Sequence, residues 1–276
     1  SYPGDYTLAL EGRYYLTGTN AYRFQVQRVT DDAARIDVGQ TVNGRIAHAG
    51  QLDRYTFTVA AGTMLYIDSM VNSDITWSLA GPGGALINES PRFDQTDAWD
   101  GLRIFAATPG EYTLTVDGPA DRVADYAFRV LDLASAVSLT PGTVVNGVAD
   151  PANGTVMYGF AAHPGDAFYF DMQSMGNGDG TWRLIDPLGR EVWTQGLGQD
   201  RDRVQVGLEG RYTLLLEGRR YLGGTNAYRF NVVPDVDGQS AMALDTRIDG
   251  NIEKPGEIDR YTFTVAQNTR VYVDSL

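Results

Sequence analysis

The chain repeats itself. Gly4-Asp-Tyr-Thr-Leu-Ala-Leu-Glu-Gly12 returns 206 residues later as Gly210-Arg-Tyr-Thr-Leu-Leu-Leu-Glu-Gly218, and Asp53-Arg-Tyr-Thr-Phe-Thr-Val59 returns at the same offset as Asp259–Val265. A weaker copy lies between them. Gly110-Glu-Tyr-Thr-Leu-Thr-Val116 stands 106 residues after the first motif and 100 before the last, and Thr155–Phe160 stands where Asp53–Phe57 stood. Self-similarity at a fixed period means that one supersecondary unit is stacked in tandem. The unit is about 100 residues long, and units two apart are more alike than neighbours, so the larger period is a pair. This phase makes residues 34–135 and 136–238 complete repeats, 1–33 the closing part of a repeat and 239–276 the opening part of another. The two ends together lack the stretch equivalent to 71–106, which counts against their completing one unit between them. The chain is expected to be a window from a longer array.

Within a unit the pattern is that of strands. Tyr55, Phe57 and Val59 alternate with Thr56 and Thr58, as Tyr112, Leu114 and Val116 and then Tyr126, Phe128 and Val130 do with their neighbours. A two-residue period marks a strand with one face buried. Turns are signalled between these runs by Pro82-Gly83-Gly84, Pro109-Gly110, Pro141-Gly142, Pro164-Gly165 and Asp186-Pro187-Leu188-Gly189. The one helix-like tract is Asp31 to Arg35. Many short strands in about 100 residues predict an all-β chain of tandem two-sheet β-sandwiches, jelly-roll-like in architecture. Tyr112, just after a Pro-Gly corner, has the place of a tyrosine whose hydroxyl caps backbone groups. Trp77 and Trp182 are equivalent and alternate with Leu79 and Leu184, which puts both in the core.

Composition excludes several functions. The net charge is −13, from 35 acidic and 22 basic residues, so phosphate backbones are repelled and nucleic acid is not an expected partner. With zero cysteines there is no disulfide framework, thiolate nucleophile or Cys-based zinc site. No apolar run reaches the roughly 18 residues that a membrane-crossing helix needs.

Assembled, one unit reads Val42-Asn-Gly-Arg-Ile, Gly50-Gln-Leu-Asp-Arg-Tyr-Thr-Phe-Thr-Val, Leu65-Tyr-Ile-Asp-Ser, Trp77-Ser-Leu-Ala-Gly-Pro-Gly-Gly, Pro109-Gly-Glu-Tyr-Thr-Leu-Thr-Val and Asp125-Tyr-Ala-Phe-Arg-Val. The order of these motifs resembles the bacterial pre-peptidase C-terminal domain family. Such domains are β-sandwich modules appended to secreted proteases and collagenases, and they also occur in tandem in large cell-surface proteins. The resemblance implies an extracellular or cell-surface, non-catalytic module. Some members of that family carry calcium at a linker.

Candidate site residues are few. His48 and His163 are the only histidines, neither recurs in the other units, and no Gly-x-Ser-x-Gly elbow is present. Catalysis is therefore not expected. Acidic clusters fall at two unit junctions, Asp31, Asp32 and Asp37 in one and Asp235, Asp237 and Asp245 in the other. Clustered carboxylates are what calcium takes as ligands, and an ion there would stiffen the joint; a solvated acidic loop is the alternative. Asp53 and Asp259, each before an Arg-Tyr, suit an acid that orders a loop at a strand start. Asn177-Gly-Asp-Gly suits a hairpin turn. Tyr15 and Tyr221 fall in equivalent hairpin loops, and Trp99 and Trp193 lie outside the core pattern, so these four are the candidates for stacking on sugar faces or on a neighbouring subunit. The expected function is a structural repeat segment of a secreted surface protein, a stalk, fibre or adhesin shaft whose partners are further copies of the repeat and which assembles into filaments. The alternative is an accessory module that attaches a secreted hydrolase to carbohydrate or matrix.

Overall fold

A computed structural model describes residues 3–97, 104–120, 122–235, 238–252 and 258–275. The first sandwich is built from β1 (Ala33–Arg35), β2 (Thr41–Ile46), β3 (Leu52–Val59), β4 (Met64–Ser69), β5 (Thr76–Gly81), β6 (Gly84–Ile87), β7 (Ile104–Ala106), β8 (Gly110–Asp117) and β9 (Ala124–Asp132). Its two sheets have the strand orders β1-β3-β8-β5-β6 and β2-β9-β4-β7. The second sandwich uses β10 (Val137–Ser138), β11 (Val145–Ala149), β12 (Thr155–Ala162), β13 (Ala167–Met175), β14 (Gly180–Ile185), β15 (Glu191–Gly196), β16 (Arg201–Gln205), β17 (Gly210–Gly218) and β18 (Asn226–Pro234). Its sheets run β10-β12-β17-β14-β15 and β11-β18-β13-β16, strand for strand the same order. A third copy begins with β19 (Gly238–Ala241) parallel to β20 (Asp259–Thr262), as β1 is parallel to β3. The chain is an all-β tandem of two-sheet sandwiches.

Alternation is what separates core from surface. On β3, Asp53, Tyr55, Phe57 and Val59 are buried while Arg54 and Thr58 face solvent. Trp77, Phe57, Leu114, Val116, Phe128 and Val130 from the two sheets meet in one core, and Trp182, Phe160, Leu214, Leu216, Phe230 and Val232 repeat it in the next sandwich. The corner tyrosines act as expected: Tyr112 Oη donates to the Thr108 carbonyl at 3.0 Å and Tyr212 Oη to that of Leu208 at 3.1 Å. Gly44 lies across the ladder from Tyr126, and Gly147 from Tyr228. A Cβ on Gly44 would stand 2.2 Å from the Tyr126 ring and one on Gly147 2.3 Å from that of Tyr228, so each glycine is the space into which a tyrosine folds.

Two local expectations are corrected. Ala33–Arg35 is an edge strand, not a helix, because five residues are too few to nucleate one and β3 offers a free edge for hydrogen bonding. The loops holding Asn177–Gly180 and Arg219–Gly224 pass from one sheet to the other rather than turning hairpins, since β13 and β18 belong to one sheet and β14 and β17 to the facing one. Among the described residues no helix is long and apolar enough to cross a membrane.

Candidate functional site at the joint between sandwiches

The feature that sets the two sandwiches apart is the outer face of the sheet around β17. On β8 the outward residues Thr113 and Thr115 are only half-buried, but on the equivalent β17 every residue from Tyr212 to Gly218 is buried. β14 is likewise buried along its whole length. A strand buried on both faces needs a second layer, and the first sandwich supplies it. Tyr66 of β4, Leu131 of β9 and Leu133 and Ala136 of the linker form an apolar cluster with Met157, Ile185 and Leu215 of the second sandwich. Sequence marks the difference: Leu215 stands where β8 has Thr115, and Arg183 where β5 has Ser78.

Charged groups lie beside that cluster, out of water. Asp68 is fully buried, and Arg129 reaches it with Nε at 2.7 Å and Nη2 at 2.5 Å. The same Arg129 Nη2 donates across the joint to the Thr155 carbonyl at 2.9 Å. Thr155 returns two bonds to Asp68 Oδ1, from its hydroxyl at 2.9 Å and its N–H at 3.2 Å. From the second sandwich, Glu217 is also fully buried; it accepts from Tyr66 Oη at 2.9 Å and from Arg183 Nε at 2.8 Å. Arg183 turns its Nη1 to Glu191 at 2.8 Å. Asn153 Nδ2 donates to the Met70 carbonyl at 2.8 Å and Arg220 Nε to Asn72 Oδ1 at 3.0 Å, which closes the rim. Gly154 packs under Arg129, where a Cβ would lie 2.9 Å from Nη2.

Electrostatics follow from the burial. Loss of water pushes Glu217 up to about 7, although Arg183 and Tyr66 bond its ionised form. Burial raises Asp68 too, against the pull of Arg129. Asp97, on the loop beside β4, is raised well above the carboxylate range by burial and by the nearby charges of Asp68 and Glu217. The Tyr66 phenol is pushed up by burial and by Glu217, so it stays a donor. Removing one partner from such a network leaves the other charged and unsolvated, which costs more than the pair contributes when intact.

The residues singled out by sequence fall elsewhere. Trp193 is not a surface residue: it is 6% exposed, with its ring 4.9 Å from Phe170 and 5.4 Å from Trp182. It lies opposite Leu184 on β15, and that register points it into the core. Trp99 lies outside the described residues. Tyr221 and Tyr15 are 53% and 57% exposed, each with an arginine over its ring at 5.9 Å, Arg219 and Arg13 respectively. The Tyr221 hydroxyl also bonds Asp179.

At the acidic junctions the described carboxylates do not gather as a group of three. Asp31 accepts from the Leu52 N–H at 3.0 Å and from Arg54 at 2.8 Å, contacts that hold its carboxyl below the usual range. Asp32 bonds through its backbone N–H to Asp53, and Asp37 is exposed. Asp235 pairs with Arg203, Asp245 is exposed in a left-handed turn with φ 61°, and Asp237 lies outside the described residues. Among the described residues no group of three or more acidic or histidine side chains is placed to share a metal. The Asp31 and Asp235 carboxylates are each engaged by neighbouring donors. Asp53 does order its loop, accepting from the Asp32 N–H at 3.1 Å, Gln51 Nε2 at 2.7 Å and Tyr126 Oη at 2.5 Å. A recess of about 120 Å³ beside the linker, lined by Met64, Asp132, Asp186 and Arg211, is smaller than the roughly 300 Å³ at which ligand pockets begin.

No family model and no curated protein matches the chain. Solved structures do. The pre-peptidase C-terminal domain of collagenase from Bacillus anthracis is similar at 24% identity and a TM-score of 0.30, over 37% of this chain and 96% of that one. The periplasmic g-type lysozyme inhibitor PliG of Aeromonas hydrophila is similar at 12% identity and 0.32, over 36% and 96%. The CUB1-EGF-CUB2 region of human MASP-1/3 is similar at 10% identity and 0.22, over 68% and 99%.

Proposed function

We propose that the chain is a non-catalytic structural segment of a secreted bacterial surface protein, in which tandem sandwiches are joined in rigid pairs to form a stalk, fibre or shaft. The observation that carries this reading is the joint. A face that is half-buried on one sandwich is apolar and charged on its repeat, and it is closed by the neighbouring sandwich with bonds from Arg129, Thr155, Tyr66 and Asn153. A spacer needs defined geometry between modules, and a module joined by a bare linker has little. Further copies of the repeat are the partners, and assembly into filaments is part of the proposal. Negative-stain imaging of native material from culture medium tests it. Continuous beaded filaments support the shaft, whereas isolated globular particles with a short appendage contradict it.

A second reading has one observation in its favour. Tyr221 and Tyr15 are exposed at equivalent loop positions with an arginine over each ring, an arrangement able to stack on a sugar face. An accessory module for carbohydrate or matrix would bind a glycan array and lose that signal in Tyr221→Ala. An array without signal removes this reading.

A further inference from the structure

The apolar residues left in water are concentrated in two stretches. Residues 4–29, the copy of β17 and β18, are exposed and lie in no strand. Residues 248–252 and 258–275, the copies of β2, β3 and β4, are mostly exposed too. In the complete sandwiches the same positions make the core: Tyr22 is 72% exposed where Tyr126 is 2%, and Val273 is 85% exposed where Ile67 is 0%. Exposed apolar surface on that scale marks a face that a partner covers.

The strand order says what covers it. In the first sandwich β3 pairs with β8, and β9 lies between β2 and β4; the second sandwich repeats both arrangements. The first stretch therefore copies the strands that pair with the second. Residues equivalent to 71–106, which neither stretch contains, supply β5, β6 and β7, and these lie beyond β8 and β4 at the sheet edges. Their loss takes Trp77 and Leu79 from the core but no pairing between β3 and β8, or between β9 and its two neighbours. The register carries over. Tyr55 opposite Leu114, Gly44 opposite Tyr126 and Ile67 opposite Val130 become Tyr261 opposite Leu8, Gly250 opposite Tyr22 and Val273 opposite Val26. The groups that receive such a tyrosine are already together. In the first sandwich Tyr126 folds over Gly44, and its hydroxyl bonds both Asp53 and Tyr55. Their copies are gathered at Gly250, where a Cβ would stand 2.8 Å from the Tyr261 hydroxyl and 3.6 Å from the Asp259 carboxylate.

We propose that residues 4–29 of one copy complete the sandwich opened by residues 239–275 of a second copy, so that chains join head to tail through a shared module. One chain cannot supply both halves to itself. The joint stacks the sheet of β2, β9, β4 and β7 on that of β10, β12, β17, β14 and β15, which makes four layers with β1 in one outermost sheet and β18 in the other. Three spacings of about 10 Å separate those sheets. Only three residues join the first stretch to β1, or β18 to β19, and three residues span about 10 Å. The contact is heterologous, and a heterologous contact that does not close builds a filament. The inference rests on the shaft reading and supplies its end-to-end contact.

The chain has no cysteine, which allows a directed cross-link. Thr7 and Thr262 copy the opposed pair Thr113 and Thr56, which face away from the core. Opposed residues on paired strands lie within disulfide reach. When Thr7→Cys protein is mixed with Thr262→Cys protein under mild oxidation, a heterodimer joined at those two positions is expected. A chain carrying both substitutions is expected to give a ladder of multimers. Tyr22→Asp changes an exposed residue outside both complete sandwiches and is expected to cut the heterodimer yield at least about tenfold, because a carboxylate replaces a phenol that the contact buries. A heterodimer no more abundant than the homodimer of either variant overturns the proposal. So does a yield that Tyr22→Asp leaves unchanged, or a doubly substituted chain that closes on itself as a monomer. Filaments in native material without this cross-link sink the head-to-tail contact and leave the shaft standing; dispersed particles without it sink both.

Discussion

Arg129 is the residue on which the joint turns. Its counterpart in the second sandwich is Asn231, paired opposite Asp171 as Arg129 is opposite Asp68. Asparagine cannot neutralise a buried carboxylate, and in that sandwich the equivalent acids are not enclosed. Arg129→Ala strands Asp68 in the joint and is expected to cost about 3 kcal/mol in urea denaturation, within the range for breaking one buried pair. Asn231→Ala, lacking such a partner, is expected to cost well under half of that. Glu217 carries a second expectation. Its folded value of about 7 lies above the 4.5 of the free side chain, so the folded protein binds the extra proton and stability falls as pH rises from 4.5 to 7. Glu217→Gln flattens that fall, by up to about 3 kcal/mol for the shift involved. A melting profile between pH 4.5 and 7 that is the same in both proteins contradicts the assignment.

Individual strands were largely legible, and the reason is physical. A strand with one wet face writes its burial as alternation, so β3, β8 and β9 could be read from Tyr55-Thr-Phe-Thr-Val59 and its counterparts, and the cores around Trp77 and Trp182 with them. The joint was written in the same code, in Tyr212-Thr-Leu-Leu-Leu-Glu217, where the alternation of Tyr112-Thr-Leu-Thr-Val116 is lost. That loss marks a strand covered on both sides, but only a comparison between repeats isolates it. Trp193 was misplaced because β15 is short and its neighbour Val192 is the exposed one, which leaves no periodic signal. The acidic junctions show a different limit: sequence shows carboxylates close along the chain but not the donors, Arg54, Arg203 and the Leu52 N–H, that reach Asp31 and Asp235 from other strands. At this scale the corner tyrosines give a clean test. Tyr112→Phe and Tyr212→Phe each remove a bond from the hydroxyl to a backbone carbonyl together with a second one, to Thr108 Oγ1 in the first and from the Leu208 N–H in the second, and each is expected to cost at least about 1 kcal/mol. Gly44→Ala drives a Cβ into the Tyr126 ring and is expected to cost more than either.

For the whole molecule, the larger sequence period has a structural correlate. One joint is dry, apolar and charged inside, and the linker crossing it, Asp132 to Ala136, lacks the paired acids that precede and follow the two complete sandwiches. The two complete repeats differ in that the outer face around β17 is covered by the first sandwich while that around β8 is half-buried. Calcium remains testable at the acidic ends: binding there would raise the melting temperature over that in chelator, and identical melts remove it. Scanning calorimetry of the whole chain at pH 5.5 tests the central claim most directly. If the joint unites the sandwiches, both cores melt in one transition whose calorimetric and van't Hoff enthalpies agree, and Arg129→Ala divides it in two. Two separate transitions in the unaltered protein, or a calorimetric enthalpy about twice the van't Hoff value, would mean that the sandwiches fold as independent bodies and that the buried charges do not join them.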